Sequence, residues 1–428
     1  MSTEVPFLNT PYNAYNHRNI PQEDEELTHV GPGTPCGEYL RRYWQPITRS
    51  QDLSDLPSRI RILGEDLVVF KDHGGRVGLL ELHCSHRGTS LEYGLICDIG
   101  IRCCYHGWRF GVDGKILETP GEPPDSTLKD RLYHGAYPVV ERSGVIFTYM
   151  GPPGKKPDFP VYNTFDMPGY QLETGNKNII PCNWLQVKDN CMDPVHTTFL
   201  HTRVSGTQFT DAFNEIPEMD FLESPSGMVY VATRRVGDYA WVRMNDFVPP
   251  NVHQTAADWE EATQENVRPP MATTWTVPVD DDQTMIIGVR HTKEGEDTQR
   301  ALDAGLGEQR RDMMGDMAAR AYEDRQRAPG DYEAEVGQRP IAVHALEHLA
   351  STDRGVIMLR NLVRQGIRDV QDGKDPLGIS RGGNKIIPTY ANNTVIRLAP
   401  ADTLEADRQL LRETGLSKAR EYIESPPF

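Results

Sequence analysis

Between Ile60 and Tyr149 the apolar residues come in short runs: Ile60–Leu63, Leu67–Phe70, Val77–Leu82, Ile101–Cys104 and Val145–Tyr149. Glycine-bearing turns such as His73-Gly74-Gly75 and Val112-Asp113-Gly114-Lys115 separate them. Short apolar runs between such turns predict strands, so this region reads as a small all-β unit. Ahead of it, residues 1–30 read as an irregular arm, and a turn at Gly31–Pro35 leads into a short helix through Tyr39 and Tyr43. The stretch Gly151–Pro157 reads as a linker. Beyond it the spacing lengthens. Asn183–His201 predicts a helix interrupted by Pro194, Gln299–Arg327 a polar helix, and His344–Asp369 a long helix with apolar positions at Leu346, Leu349, Val356, Leu359, Val363 and Ile367. Val229–Val248 and Thr273–Arg290 alternate as antiparallel strands do. The fold class is α+β: an arm over 1–42, a small β domain over 43–155 and a larger domain of antiparallel sheet plus helices over 156–428. No repeat or low-complexity tract interrupts it.

Composition narrows the function. The 428 residues suffice for two or three cores, and 38% apolar with 25% charged residues suits a globular protein. No run reaches the roughly 18 apolar residues that a membrane span needs. The N-terminal region is polar and acidic, with Glu23 to Glu26 in a row, so no signal peptide is expected. A net charge of −17 disfavours nucleic acid and anionic membrane as partners. An odd set of seven cysteines argues against a disulfide framework, for a reducing cytoplasmic location, and for metal.

Metal has an obvious place. Cys84-Ser85-His86 is followed, after sixteen residues, by Cys103-Cys104-Tyr105-His106. Each segment offers one thiolate and one imidazole. Two cysteines on one iron and two histidines on the other is the ligand set of a Rieske [2Fe–2S] centre, in which neutral imidazoles raise the reduction potential. Gly88 and Gly107 let the backbone come close to the sulfides. A tetrahedral zinc site is the competing reading, though zinc more often uses C-x-x-C pairs. Cys97 and Cys104 read as bystanders.

Cys84-x-His86-Arg87-Gly88 with Cys103-x-Tyr105-His106-Gly107-Trp108 resembles the cluster motif of aromatic-ring-hydroxylating Rieske non-haem iron oxygenases. Respiratory Rieske proteins carry two further cysteines that form a disulfide. Thr89 and Tyr105 stand at those positions here, which favours the oxygenase branch. The segment Val30–Pro35 with Arg41-Arg42-Tyr43-Trp44 looks like the phthalate-dioxygenase-like group. The resemblance implies a Rieske domain at 43–155 and a helix-grip, START-like catalytic domain at 156–428 that holds a mononuclear Fe(II).

The second constellation is Asp193-Pro194-Val195-His196 through His201. Histidines five apart turn about 500°, so a distorted or π-bulged turn brings them to one face. Two imidazoles and one carboxylate form the facial triad of non-haem Fe(II) oxygenases, with open positions for O₂. By the resemblance His196 and His201 are iron ligands. Asp193 joins the iron site to a cluster histidine (His106) of a neighbouring subunit, which implies a trimer or a multiple of it. The family usually carries Glu where Asp189 stands. For the third ligand Asp353 is chosen: on the wheel of the His344–Asp369 helix it falls in line with Leu346, Leu349 and Val356. A helix N-cap is the competing role for Asp353, and His344 and His348 are competing ligands.

No G-x-G-x-x-G opens a βαβ unit, so electrons from NAD(P)H are expected through a separate reductase, with or without a ferredoxin. The group implies O₂-dependent hydroxylation, dihydroxylation or O-demethylation of a small aromatic substrate, an aromatic carboxylate in first place. Arg203, Arg235, Arg243 and Arg290 are the candidate partners of its charge. The rival class is a Rieske electron carrier or structural zinc protein without oxygenase activity.

Overall fold

The computed structural model describes residues 11–14, 20–259, 265–295, 319–383 and 385–428. Its small β part is built on a four-stranded antiparallel sheet of Ser58–Ile62, Glu65–Lys71, Val77–Glu81 and Ala136–Tyr137. Alternate side chains of one strand go to opposite faces. Val68 and Phe70 therefore join a local core with Leu80, Leu82, Leu91, Ile101 and Phe110, while Leu67, Val69 and Leu79 join the main core of the molecule. Burial on both faces explains why Leu67–Phe70 is an unbroken apolar run. A second small sheet, Leu95–Ile96, Ile101–Arg102, Arg109–Phe110 and Ile116–Glu118, carries the 103–108 loop at its tip. A third pairs Trp44–Arg49 and Val139–Arg142 with Val145–Tyr149.

The larger part is a nine-stranded antiparallel sheet. Tyr170–Ile180, Thr284–Lys293, Pro270–Pro278, Val252–Ala256, Tyr239–Val248, Gly227–Val236 and Glu218–Ser224 follow one another across it. Asn392–Arg397 pairs with the first half of Tyr239–Val248 and with Asn266–Arg268. On Gly227–Val236, Met228, Tyr230 and Ala232 face the main core, and Val229 and Val231 face a core shared with the C-terminal helix Leu404–Glu424. That helix was not anticipated from the sequence.

Several expected elements change shape. Asn183–His201 is a helix over Trp184–Asn190, a break, a short turn over His196–Thr198 and a π-helical turn over Phe199–Val204. Pro194 lacks the N–H that a continuous helix would use. The long helix runs over Arg354–Gln371 and starts ten residues later than expected, after a 3₁₀ turn at Ser351–Asp353. It buries Val356, Leu359, Val363 and Ile367. The expected helix Gln299–Arg327 lies mostly outside the described residues; Tyr322–Arg327 is helical.

The supposed arm is part of the core from residue 25 on. Glu25–Thr28 and Pro35–Leu40 are helical, and Leu27, Val30, Cys36, Tyr39 and Leu40 are fully buried. Leu27 O accepts a bond from Trp184 Nε1 at 3.0 Å, and Asn183 Nδ2 donates to Thr28 O at 2.9 Å. Gly366 gives the Tyr39 ring its room, since a Cβ there would lie 2.2 Å from Tyr39 Cε2. Among the described residues no helix is long and apolar enough to cross a membrane.

Two candidate metal centres

The loops Cys84–Thr89 and Cys103–Trp108 fold alike. In the first, Cys84 N donates to Thr89 O (2.9 Å) and Gly88 N to Cys84 O (2.8 Å). In the second, Cys103 N donates to Trp108 O (2.8 Å) and Gly107 N to Cys103 O (3.2 Å). Gly88 and Gly107 take φ of +76° and +74°, a left-handed backbone that disfavours any Cβ. Both cysteines are buried, whereas His86 is exposed at the loop tip and His106 half-exposed. The imidazoles face each other with ring centroids 4.5 Å apart, and His86 stacks on Trp108 at 4.8 Å and 6°. Burial, with Cys103 alongside, pushes the Cys84 thiol up to about 11. Thiols held this way become good ligands only when a metal displaces the proton. Two buried sulfur donors below two converging imidazoles fit a [2Fe–2S] cluster with its histidine side turned outward. Cys97 and Cys104 stand outside this arrangement: Cys97 Sγ lies 3.5 Å from Leu95 O, and Cys104 is exposed.

The second centre forms where the bent helix meets the sheet. His196, His201 and Asp331 bring one donor atom each to within 4.8 Å of one another. The π-helical turn sets the two rings 5.2 Å apart and edge-to-face. His201 is 3% exposed and its Nδ1 lies 2.6 Å from Gln208 Oε1, an acceptor, so Nδ1 carries the hydrogen. That leaves the Nε2 lone pair facing Asp331 Oδ1 at 3.2 Å. A lone pair and a carboxylate oxygen repel at that distance unless positive charge lies between them, a proton on Nε2 or a metal ion in its place. His196 turns its Nε2 toward the same Asp331 oxygen at 3.8 Å. Two imidazoles and a carboxylate converging in this way are a donor set that fits a divalent iron.

The electrostatics agree. Burial draws the His201 pKa down, but Asp331 and Gln208 outweigh it and the net direction is up. Burial raises the Asp331 carboxyl, but His201, His196 and Asn190 outweigh it and hold the group well below the usual carboxylate range. Asn190 Nδ2 donates both to Asp331 Oδ1 and to Glu335 Oε1, each at 3.0 Å. Asp193 turns the chain before the histidines: its Oδ1 accepts from Val195 N at 2.8 Å, and its Oδ2 lies 3.6 Å from His196 Nδ1.

The choice of Asp353 is corrected. Because the helix begins at Arg354, the wheel that aimed Asp353 at the core does not apply. Its carboxylate instead accepts from Ala350 N at 2.7 Å across the 3₁₀ turn, and as the residue before the helix it makes no side-chain cap bond. His344 lies 4.0 Å from Asp24, His348 is exposed, and neither belongs to the donor group. Sequence reasoning missed Asp331. The faint signal was the pair Asp331 and Glu335, like charges one turn apart on a short helix, which repel unless both have inward partners.

Of the four arginines, only Arg243 lines the cavity of about 350 Å³ beside this centre. Arg203 is exposed and bonds Asn214. Arg235 pairs with Asp407 on the C-terminal helix. Arg290 sits on the Thr284–Lys293 strand opposite Glu173 and Ala272.

A β domain with twin Cys/His loops, joined to a sheet-and-helix domain with a two-histidine, one-carboxylate group, defines the class of Rieske-type oxygenases. The description "Rieske [2Fe-2S] domain" matches residues 43–138. The chain is 41% identical to the tert-butanol monooxygenase / tert-amyl alcohol desaturase oxygenase subunit of Aquincola tertiaricarbonis, over 95% of this chain and 90% of that one. It is 37% identical to the phenoxybenzoate dioxygenase subunit alpha of Ectopseudomonas oleovorans, over 89% of this chain and 93% of that one. In fold it is similar to the caffeine-bound NdmA QL mutant of Pseudomonas putida CBB5, with a TM-score of 0.61, 18% identity, and coverage of 82% of this chain and 100% of that one. The chain belongs to the Rieske non-haem iron oxygenases as an oxygenase (alpha) component. It is thus an oxidoreductase of a multicomponent system, with a [2Fe–2S] cluster, a mononuclear iron and an external reductase or ferredoxin. The readings as an electron carrier or structural zinc protein give way to this one.

Proposed function

We propose that Cys84, His86, Cys103 and His106 hold the cluster, that His196, His201 and Asp331 hold the iron, and that the organic substrate lies in the adjoining cavity. The observation that carries the reading is the convergence of three donor atoms within 4.8 Å at the wall of that cavity. When bound, the iron supplies O₂ activation and the cluster supplies electrons. The chain's own residues do the rest. Gln208 fixes the His201 tautomer and Asn190 holds the Asp331 carboxylate, the supporting contacts that keep ligands oriented. Phe209 and Phe213 line the cavity and exclude water from it.

Asp193 is the proposed link between the centres. It bonds the turn that leads into His196, and its side chain remains 30% exposed. His86 and His106, at the outer tip of the small β domain, are available to a second copy of the chain. A head-to-tail ring, a trimer in the simplest closure, would set one chain's His106 against the next chain's Asp193.

Chelation and reloading test the assignment. Material stripped of mononuclear iron should keep the cluster's absorbance, lose product formation, and regain it with Fe²⁺ but not Zn²⁺. Product formation from NADH with no reductase, or restored by Zn²⁺, would contradict it.

A further inference from the structure

The cavity beside the iron group presents apolar surface from Ile180, Val187, Phe213 and Ile286, interleaved with polar side chains such as Asn245 and Thr274. Among the described residues that line it, Arg243 is the one lysine or arginine, and carboxylates line it at four positions: Asp193, Asp258, Asp331 and Glu335. Arg243 is already engaged. Its Nη1 donates to Tyr230 Oη at 2.8 Å, its Nη2 donates to Ala256 O at 3.0 Å, and Nη2 lies 3.5 Å from Asp258 Oδ1. Its Nε is buried without an acceptor, and the guanidinium rests 5.3 Å from the Phe213 ring centroid. Both standard bidentate geometries toward a carboxylate use Nη2, the nitrogen held by Ala256 and faced by Asp258. A second carboxylate would enter beside one that already balances the charge.

A different group is presented to the cavity. His253, on the Val252–Ala256 strand, lines it. Behind it Lys188 is fully buried, and its Nζ lies 2.9 Å from His253 Nδ1. An ammonium only donates, so Nδ1 accepts and Nε2 carries the hydrogen. Cys191 Sγ lies 3.5 and 3.7 Å from the two ring nitrogens and closes one side of the ring. The buried lysine thus holds one tautomer of a cavity histidine, with its N–H donor fixed in place.

Resting on the assignment of this cavity as the substrate site, we infer that the substrate is an uncharged molecule with an apolar body and one oxygen acceptor, which His253 Nε2–H binds, and that Arg243 is a wall rather than an anion clamp. His253 and Lys188 then set specificity: a site built to bond one oxygen discriminates strongly against analogues that lack it.

Calorimetry on the iron- and cluster-loaded enzyme tests this with two matched pairs, tert-butanol against trimethylacetate and benzyl alcohol against benzoate. At least one alcohol should bind, about 10-fold or more tighter than its carboxylate. His253→Leu should weaken that alcohol about 10-fold, and His253→Gln, whose amide N–H reaches the Nε2 position, should restore affinity to within about 3-fold. Should His253→Leu fail to fold, Lys188→Met, which releases the tautomer, is read the same way. Tighter binding by either carboxylate, alcohol affinity untouched by these changes, or no binding by either alcohol overturns the inference. Iron content is measured on the same samples, so failure of this inference is distinguishable from failure of the metal site.

Discussion

The proposed cluster loops offer four donors from two six-residue segments, Cys84–Thr89 and Cys103–Trp108, each closed by the same two backbone hydrogen bonds. The proposed iron group takes two donors from one bent helix and the third from a helix 130 residues further along the chain (from 201 to 331). The first is a local device: its geometry needs two tight turns and two left-handed glycines. The second exists only after the sheet, the Trp184–Asn190 helix and the Asp331–Val336 helix have packed together. The contrast shows where each centre is vulnerable. Local loops tolerate distant change and fail at their own residues, whereas the assembled group depends on partners such as Asn190 and Gln208.

Substitutions sharpen that contrast, beginning with the largest effect. Asp331→Ala should abolish product formation, a loss of about 10³-fold or more for a step that needs the iron, with the reduced cluster's paramagnetic signal unchanged. Next, Asp193→Asn should cut coupled turnover about 100-fold, the scale of a lost positioned contact, while both metals stay bound; steady-state product and O₂ assays with metal analysis check it. Gln208→Leu frees the His201 tautomer and should weaken Fe²⁺ binding about 10- to 100-fold in a competitive chelator titration. Lower pH should weaken binding in the same titration, because protons compete for His201 and Asp331.

Smaller effects belong to the local centre and to the corrected residue. Gly107→Ala puts a Cβ on a φ of +74° and should cost about 1–2 kcal/mol of stability, read as a lower melting temperature and faster cluster loss. Asp353→Ala removes only the bond from Ala350 N and should cost about 1 kcal/mol in denaturant unfolding, with iron content untouched.

Legibility followed the same division. The C-x-H and C-x-x-H motifs were readable because their residues lie close together in the chain, and the strands within Val229–Val248 and Thr273–Arg290 because they alternate enough to be told from helices, although both faces of Gly227–Val236 are buried. His196 and His201 were readable as a pair, and the π-helical turn is the distortion that their spacing called for. Asp331 was hidden because its role comes from tertiary approach, not from period or motif. Asp353 misled because the periodic apolar pattern of His344–Asp369 runs through a stretch where the backbone is not helical until Arg354. The terminal helix Leu404–Glu424 escaped notice for a related reason: its buried face includes Gly415, Ala419 and Asp407, which give little apolar signal. Residues 25–30 looked like an arm because only Leu27 and Val30 are apolar there, although the stretch fits against Trp184; the short helix expected after the Gly31–Pro35 turn is present at Pro35–Leu40.

Iron stoichiometry in two variants tests the central claim most directly. The wild-type chain should carry about three irons, two in the cluster and one mononuclear. Asp331→Ala should carry about two and retain the Rieske signal, while Asp353→Ala keeps about three. The reverse pattern, with the mononuclear iron lost from Asp353→Ala and kept in Asp331→Ala, would contradict the account.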